Sequence, residues 1–234
     1  MRENARKPRN CTVQSPSPSA GPADRASPPG PAMPCATGPL TVSIVSHGQA
    51  SLVDALVRQL AGSTRPGLIG RVVITVNIPE PVPAAWRQPG PWPIEIRENP
   101  TPQGFAANHN RALAGVTEGL VAILNPDLQL EGDPLAALAE AAAEPGVGLV
   151  VPWVFEAPDR PADAARDLIS PASILARTVL RRRRPSQRPA WYAGMCLVLP
   201  VAAWRAMGGF DERFRMYCED FDLCARSRLA GLTL

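Results

Sequence analysis

The sequence predicts an α/β domain built on an open, mostly parallel sheet with helices on both faces. Three observations predict it. Short β-branched runs, TVSIVS at 41–46, RVVITV at 71–76 and LVAIL at 120–124, read as strands buried on both sides. Helical stretches alternate with these runs, which is the rhythm of a parallel sheet. The runs also end on polar clusters: Ser46-His47-Gly48, Asn77 and Asn125-Pro126-Asp127. Open sheets bind ligands beyond the carboxyl ends of their strands, so the three clusters point to one shared site.

In chain order, residues 1–39 are a proline-rich tail holding nine of the 28 prolines. Such a segment buries too little apolar surface to offset its ordering entropy and is expected to be disordered. The folded domain is expected over 40–234. After the first strand, Ser51 and Asp54 suggest a weak capping box before SLVDALVRQLA, with Leu52, Val53, Leu56, Val57 and Leu60 on one face. After the second strand a proline-rich loop carries Trp86 and Trp92, and IEIRE at 94–98 reads as a third strand. GFAANHNRALAGV is a glycine loop entering a helix, on which His109 is expected to be exposed and inert. LVAIL is the fourth strand and runs straight into Asn125-Pro126-Asp127.

Asp133-Pro134 opens a helix by the N-cap and first-position preferences, and VGLVV at 147–151 reads as a further strand. Residues 156–190 look irregular. They include the run Arg181–Arg184, read first as a solvated loop and second as a contact for anionic lipid headgroups or an acceptor's diphosphate. MCLVLP at 195–200 returns to the sheet. A Gly208-Gly209 turn then precedes the acids Glu219, Asp220 and Asp222. Asp220 is expected to cap a helix reaching Leu229, with Phe221, Cys224 and Leu229 on one face and Gly231 left-handed past its end.

The totals exclude several functions. Formal net charge is +3, yet residues 1–39 carry five basic and two acidic residues while 40–234 hold 19 of each. The globular part is therefore neutral, and no nucleic-acid partner is expected. Five cysteines without C-x-x-C spacing read as free thiols in a reducing compartment, hence the cytoplasm. No run approaches the roughly 18–20 apolar residues that cross a bilayer, and the N-terminus lacks the apolar stretch of a signal peptide.

The stretch AGMCLVLPVAAWRAMGGFDERFRMYCEDFDLCARSRLAGL resembles the C-terminal catalytic signature of family 2 glycosyltransferases, and most of all their rhamnosyltransferase-type branch. The resemblance implies a GT-A-type fold with Asp220 as general base and Glu219 as the second candidate. Read alone, Asn125-Pro126-Asp127 is a turn as readily as a cation site. It resembles the Asp-x-Asp motif of the same enzymes with asparagine in first place. Asp127 would then hold Mg²⁺ or Mn²⁺, and Asn125 would join the nucleotide-binding residues. NPTPQGFAANHNRAL resembles the family's Asn…Gly-Phe-Ala-x-x-x-Asn segment, which implies that Gly104, Phe105 and Asn110 shape the nucleotide pocket. Ser46, His47 and Asn77 line up with the nucleoside-binding positions. The family's acid after the second strand is replaced by VNIPE, so Asn77 is expected to meet the base through its amide.

The implied reaction moves a sugar, rhamnose being the leading one, from a dTDP- or UDP-sugar to a hydroxyl with inversion. The implied acceptor is a glycan or lipid-linked glycan in cell-wall or surface polysaccharide synthesis, with peripheral contact at the inner face of the cell membrane. Related enzymes continue beyond the position of Leu234 into a segment with a histidine that helps hold the metal or diphosphate, whereas this chain has only His47 and His109. The resemblance thus implies a domain lacking its C-terminal part. It leaves open a nucleotide-sugar-binding remnant without turnover. A nucleotidyltransferase ranks lower, because SHGQAS is not the glycine-rich Gly-x-Gly-Thr-Arg-type loop such an enzyme needs.

Overall fold

The computed structural model describes residues 11–14, 38–157, 160–168 and 189–234, with positions 170, 171, 175 and 179 between. The chain runs β1 (Cys11–Gln14), β2 (Leu40–Ser46), α1 (Ala50–Ser63), β3 (Ile69–Val76), a 3₁₀ turn (Ala84–Arg87), β4 (Ile94–Glu98) and α2 (Phe105–Leu113). It continues through β5 (Leu120–Leu124), β6 (Leu128–Leu130), α3 (Pro134–Ala142), β7 (Trp153–Ala157), β8 (Arg160–Pro161) and β9 (Ala165–Arg166). Last come β10 (Trp191–Tyr192), β11 (Cys196–Pro200), α4 (Val201–Met207) and α5 (Glu219–Leu229).

Branched side chains pack well on a pleated surface, and the four runs rich in them form the main sheet as expected. Its order is β11-β5-β2-β3-β4. β2, β3, β4 and β5 are parallel, while β11 runs against β5 with Cys196 opposite Leu124. Alternate residues serve two cores. Val42, Ile44, Ala122 and Leu124 face α1 and α3, whose Leu56, Leu60, Leu135 and Leu138 complete one cluster. Val121, Ile123, Leu197 and Leu199 face α2, α4 and α5 in the other. Both faces are covered, so the central strands carry no solvent-facing row.

The cap at α1 differs from expectation. Ser51 and Asp54 form no capping box; Gly48 N and Ala50 N donate to the Glu80 carboxylate at 3.3 and 2.8 Å instead. Asp54 accepts from the indole of buried Trp86, which pins the proline-rich loop to the helix. At α3 the expectation holds: Asp133 accepts from Ala136 N at 3.1 Å and Pro134 sits in the first turn.

Three further expectations are corrected. VGLVV is not a strand; it makes only the bridges Val147–Thr233 and Val150–Val198. Within the stretch read as a structureless tail, Cys11–Gln14 is a strand between β6, which it joins in parallel, and β7, which it meets antiparallel. Val13 is fully buried there, which supplies the apolar burial that composition alone hid. The helix of the acids starts at Glu219 after Cys218, so Asp220 lies inside the first turn and does not cap it. Leu223 and Cys224 form its buried face and Leu229 points to solvent, while Gly231 takes the expected left-handed φ of 76°. The arginine run 181–184 lies outside the described residues.

Candidate active site

The chain builds β2, β3 and β4 in one direction, then returns to lay β5 on the other side of β2. Loops after β2 and β5 diverge at that reversal and leave a crevice at the carboxyl edge. A cavity of about 420 Å³ opens there, lined by His47, Asn77, Phe105, Asn125 and Asp127 among others. The expected convergence of strand-end clusters is therefore found. Gln103, Asn108, His109 and Met216 also line it and were not foreseen.

Asn77 is almost wholly buried and its amide is saturated within the protein. Its Nδ2 donates to Gln103 O and to His47 Nδ1, both at 3.0 Å, and its Oδ1 accepts from Gln103 N and Asn99 Nδ2, both at 2.8 Å. An amide offers two donors and two acceptor sites, and all four are used. The expectation that Asn77 meets a base through its amide is corrected. Asn99 also donates to Asn108 Oδ1 at 2.6 Å, so the wall is a connected asparagine network.

His109, expected to be exposed, is buried, with 1% of its surface exposed. It shares a 2.8 Å hydrogen bond with Ser43 Oγ of β2, and the Phe105 ring meets it edge-on at 4.3 Å between centroids. Burial pushes its pKa down to about 3, so the ring is neutral at physiological pH. Both histidines of the chain thus line this cavity.

The remaining sequence candidates divide. Ser46 is buried, accepts from Gln49 N at 3.3 Å, and shapes the loop instead of lining the cavity. Gly104 precedes α2 and lies against the main chain of Arg215, where a Cβ would sit 2.4 Å from the carbonyl oxygen. That closeness lets Phe105 N donate to Arg215 O at 3.2 Å and brings Met216 over the cavity. Asn110 turns away. Its amide bonds Phe210 O at 2.8 Å, Glu212 at 2.9 Å and Phe210 N at 2.9 Å, locking the glycine turn.

Asp127 leaves β5 partly buried, and desolvation raises its carboxyl pKa, offset in part by its own backbone hydrogen bond. No cation among the described residues pairs with it. Asp220 stands just outside the lining. Its Oδ2 accepts from Gly194 N at 3.0 Å and its Oδ1 from Phe221 N at 2.8 Å. A Cβ on Gly194 would lie 3.4 Å from Asp220 and 3.8 Å from Phe105, and the next residue, Met195, accepts from Asn125 N at 2.9 Å. A short chain of contacts therefore joins the two carboxylates along one edge of the sheet. Glu219 is 7% exposed with Oε2 unpartnered, and desolvation leads the raising of its pKa, with Asp220 adding to it. Just before it, Tyr217 and Cys218 hold φ values of 71° and 72°, a strain of about 1–3 kcal/mol each for non-glycine residues.

Residues 81–205 match the profile of the glycosyl transferase family 2, more than half of the chain. The chain belongs to glycosyl transferase family 2. Curated relatives of this family 2 chain include rhamnosyltransferases. It is 33% identical over 128 residues to an N-acetylglucosaminyl-diphospho-decaprenol L-rhamnosyltransferase of Mycobacterium tuberculosis, a match covering 47% of this chain and 42% of that one. It is 43% identical over 44 residues to the rhamnosyltransferase WbbL of Escherichia coli, covering 19% and 17%. The matches thus span less than half the length of these curated relatives. A solved mannosyltransferase of Pyrobaculum calidifontis, in complex with GDP-Man and Mn²⁺, superposes with a TM-score of 0.57 at 18% identity, covering 88% of this chain and 56% of that one. The fold of the family 2 chain is accordingly of the GT-A type.

The family's divalent cation can be tested against the residues present. Among the described residues no group of three or more histidine, cysteine or acidic side chains gathers as a closed site. Asp127 is a hard oxygen ligand, partly desolvated and with no paired cation among the described residues, which a divalent cation suits. The donor set fits a cation only if bound phosphates supply further oxygens.

Proposed function

We propose that this chain transfers a sugar from a nucleotide-diphosphate donor to a hydroxyl acceptor with inversion. The observation that carries the reading is the linked placement of two carboxylates: Asp127 at the cavity, and Asp220 one glycine away from the Asn125 end of the same strand. Asp220 receives the proton of the attacking hydroxyl. Two backbone N–H groups aim its carboxylate, and each oxygen keeps a lone pair for that contact. Asp127, with Asn125 beside it, would hold Mg²⁺ or Mn²⁺. When bound, the cation offsets the charge that grows on the departing diphosphate. Phe105 and Met216 wall the cavity with apolar surface, which would keep water from a sugar bound there. Glu219 is buried, with Oε2 lacking a hydrogen-bond partner among the described residues, which favours Asp220 as the base of the pair.

The relatives' names support rhamnose as the sugar and a lipid-linked glycan as acceptor, and we take dTDP-rhamnose as the donor, in cell-wall or surface polysaccharide synthesis. The same acceptor supports work at the inner face of the cell membrane from the cytoplasm. No helix among the described residues is long and apolar enough to cross a membrane.

The test is Asp220→Asn, with dTDP-rhamnose and N-acetylglucosaminyl-diphospho-decaprenol as substrates. Transfer should fall by about 10²–10⁴-fold while calorimetric binding of dTDP with Mn²⁺ stays near wild type. Unchanged transfer would remove Asp220 from the mechanism.

A further inference from the structure

The strand that follows Asp127 takes its partner from far upstream. β6 begins at Leu128, directly after that carboxylate. It lies at the end of the smaller sheet, and β1 is its one strand neighbour among the described residues. The two run parallel, with Cys11 opposite Leu128 and Val13 opposite Leu130. Val13 is fully buried and Cys11 nearly so, which gives a strand of four residues an apolar grip on the core beside α1 and α3. Three backbone hydrogen bonds hold the Asp127 turn. Asn125 N donates to Met195 O at 2.9 Å, and Leu128 N closes the turn on Asn125 O at 3.4 Å. The third comes from β1: Cys11 N donates to the Asp127 carbonyl at 3.3 Å. One turn further on, Glu131 N donates back to Val13 O at 2.9 Å. The first two bonds lie within residues 81–205, the stretch that the family profile matches, whereas β1 lies outside it.

Resting on the reading of Asp127 as the cation's ligand, we propose that β1 is a positioning element of the donor site, with Cys11 acting through its backbone N–H to set the Asp127 carboxylate. The cation's hold on a nucleotide diphosphate then depends on a strand that the matched stretch does not contain. The physical reason is local. A three-residue strand at a sheet end has no ladder of its own, so without β1 the peptide after Asp127 is free to rotate and the side chain moves with it. Holding a ligand's backbone in its bound place lowers the ordering cost of binding. That matters more where one carboxylate serves alone, and among the described residues no cluster of acids gathers to replace it.

Calorimetry on the full chain tests this, with UDP as the probe and Mn²⁺ present or replaced by EDTA. In the wild type Mn²⁺ should tighten UDP binding. Cys11→Pro removes the donating N–H at the first residue of the strand, where proline is tolerated. It should cut the tightening by about two- to tenfold, the effect of one lost hydrogen bond, and leave UDP binding in EDTA unchanged. Val13→Asp puts a charge at a fully buried position, undocks the strand and should do the same. Cys11→Ala keeps the N–H and should keep the tightening. Amide exchange gives a readout without any ligand. The Leu128 N–H should exchange about two- to tenfold faster in Cys11→Pro, while the Ile44 N–H, in the middle of the main sheet, keeps its wild-type rate. Faster exchange at both positions would mean general loosening and would overturn the proposal. Full Mn²⁺ tightening in Cys11→Pro or Val13→Asp, or an equal loss in Cys11→Ala, would overturn it while leaving the cation at Asp127 standing. Wild-type UDP binding that ignores Mn²⁺ would overturn the cation reading and the role of β1 with it.

Discussion

His109 sets an acid limit on this fold. In the unfolded chain it titrates near the ordinary histidine value, about 6.5, and in the fold near 3. Between those values the unfolded chain binds a proton that the folded chain does not. Stability contributed by this residue is therefore whole above about pH 6.5 and drains away as pH falls toward 3. Denaturant unfolding at pH 7.5 and 4.5 should show the wild type losing about 2 kcal/mol more than Ser43→Ala/His109→Leu, which removes the titrating ring and its partner together. Equal losses would mean that the ring is protonated in the fold. The residues at strand ends were legible because a polar side chain after an apolar run has few other places to go. His109 was not, since a helix of nine residues containing two asparagines does not say which side meets the sheet. The missed signal was Ser43, a lone hydroxyl inside a buried strand that required a partner from the covering helix. Asn77 was legible as a site residue but not as a saturated one, because its partners at Gln103 and Asn99 come from a loop more than twenty residues away.

Among the elements, α2 depends on one missing atom. Gly104 lets its N-terminus rest on the Arg215 carbonyl, and a methyl group there would lie 2.4 Å from main-chain oxygen that cannot step aside cheaply. Gly104→Ala should therefore lower stability by about 1–3 kcal/mol and weaken nucleotide binding as Met216 is pushed off the cavity. Gly90→Ala, with its nearest neighbour 3.8 Å away, should stay within about 0.5 kcal/mol. Chemical denaturation and calorimetry read both, and equal losses would mean that the close approach is not needed. The strands of the main sheet and the opening of α3 followed from sequence, since branched residues and Asp-Pro act locally. The start of α5 did not. It is set by two left-handed residues, Tyr217 and Cys218, that no propensity favours. VGLVV shows the reverse failure: its pattern suits a strand, yet Gly148 packs where a Cβ would lie 2.0 Å from Ser227 Oγ, and only single bridges form.

The whole molecule places a desolvated charge at its binding edge and tolerates the cost. With its pKa raised by burial, Asp127 is less stable ionised in the fold than in the open chain. Asp127→Asn should thus match or exceed the wild-type thermal midpoint in EDTA. The same variant should lose the upward shift that Mn²⁺ with UDP gives the wild type. A retained shift would place the cation elsewhere. The two-layered covering of the sheet was legible from alternating strands and helices, whereas the second, smaller sheet was not, because its partners are far apart in sequence. That separation has a consequence during synthesis. Cys11–Gln14 leaves the ribosome well over a hundred residues before Leu128–Leu130 and Trp153–Ala157, the two strands that hold it. A nascent chain keeps this apolar hook unpaired until both have emerged. The backbone around Asp127, which receives a hydrogen bond from Cys11, is then among the last parts of the protein to set.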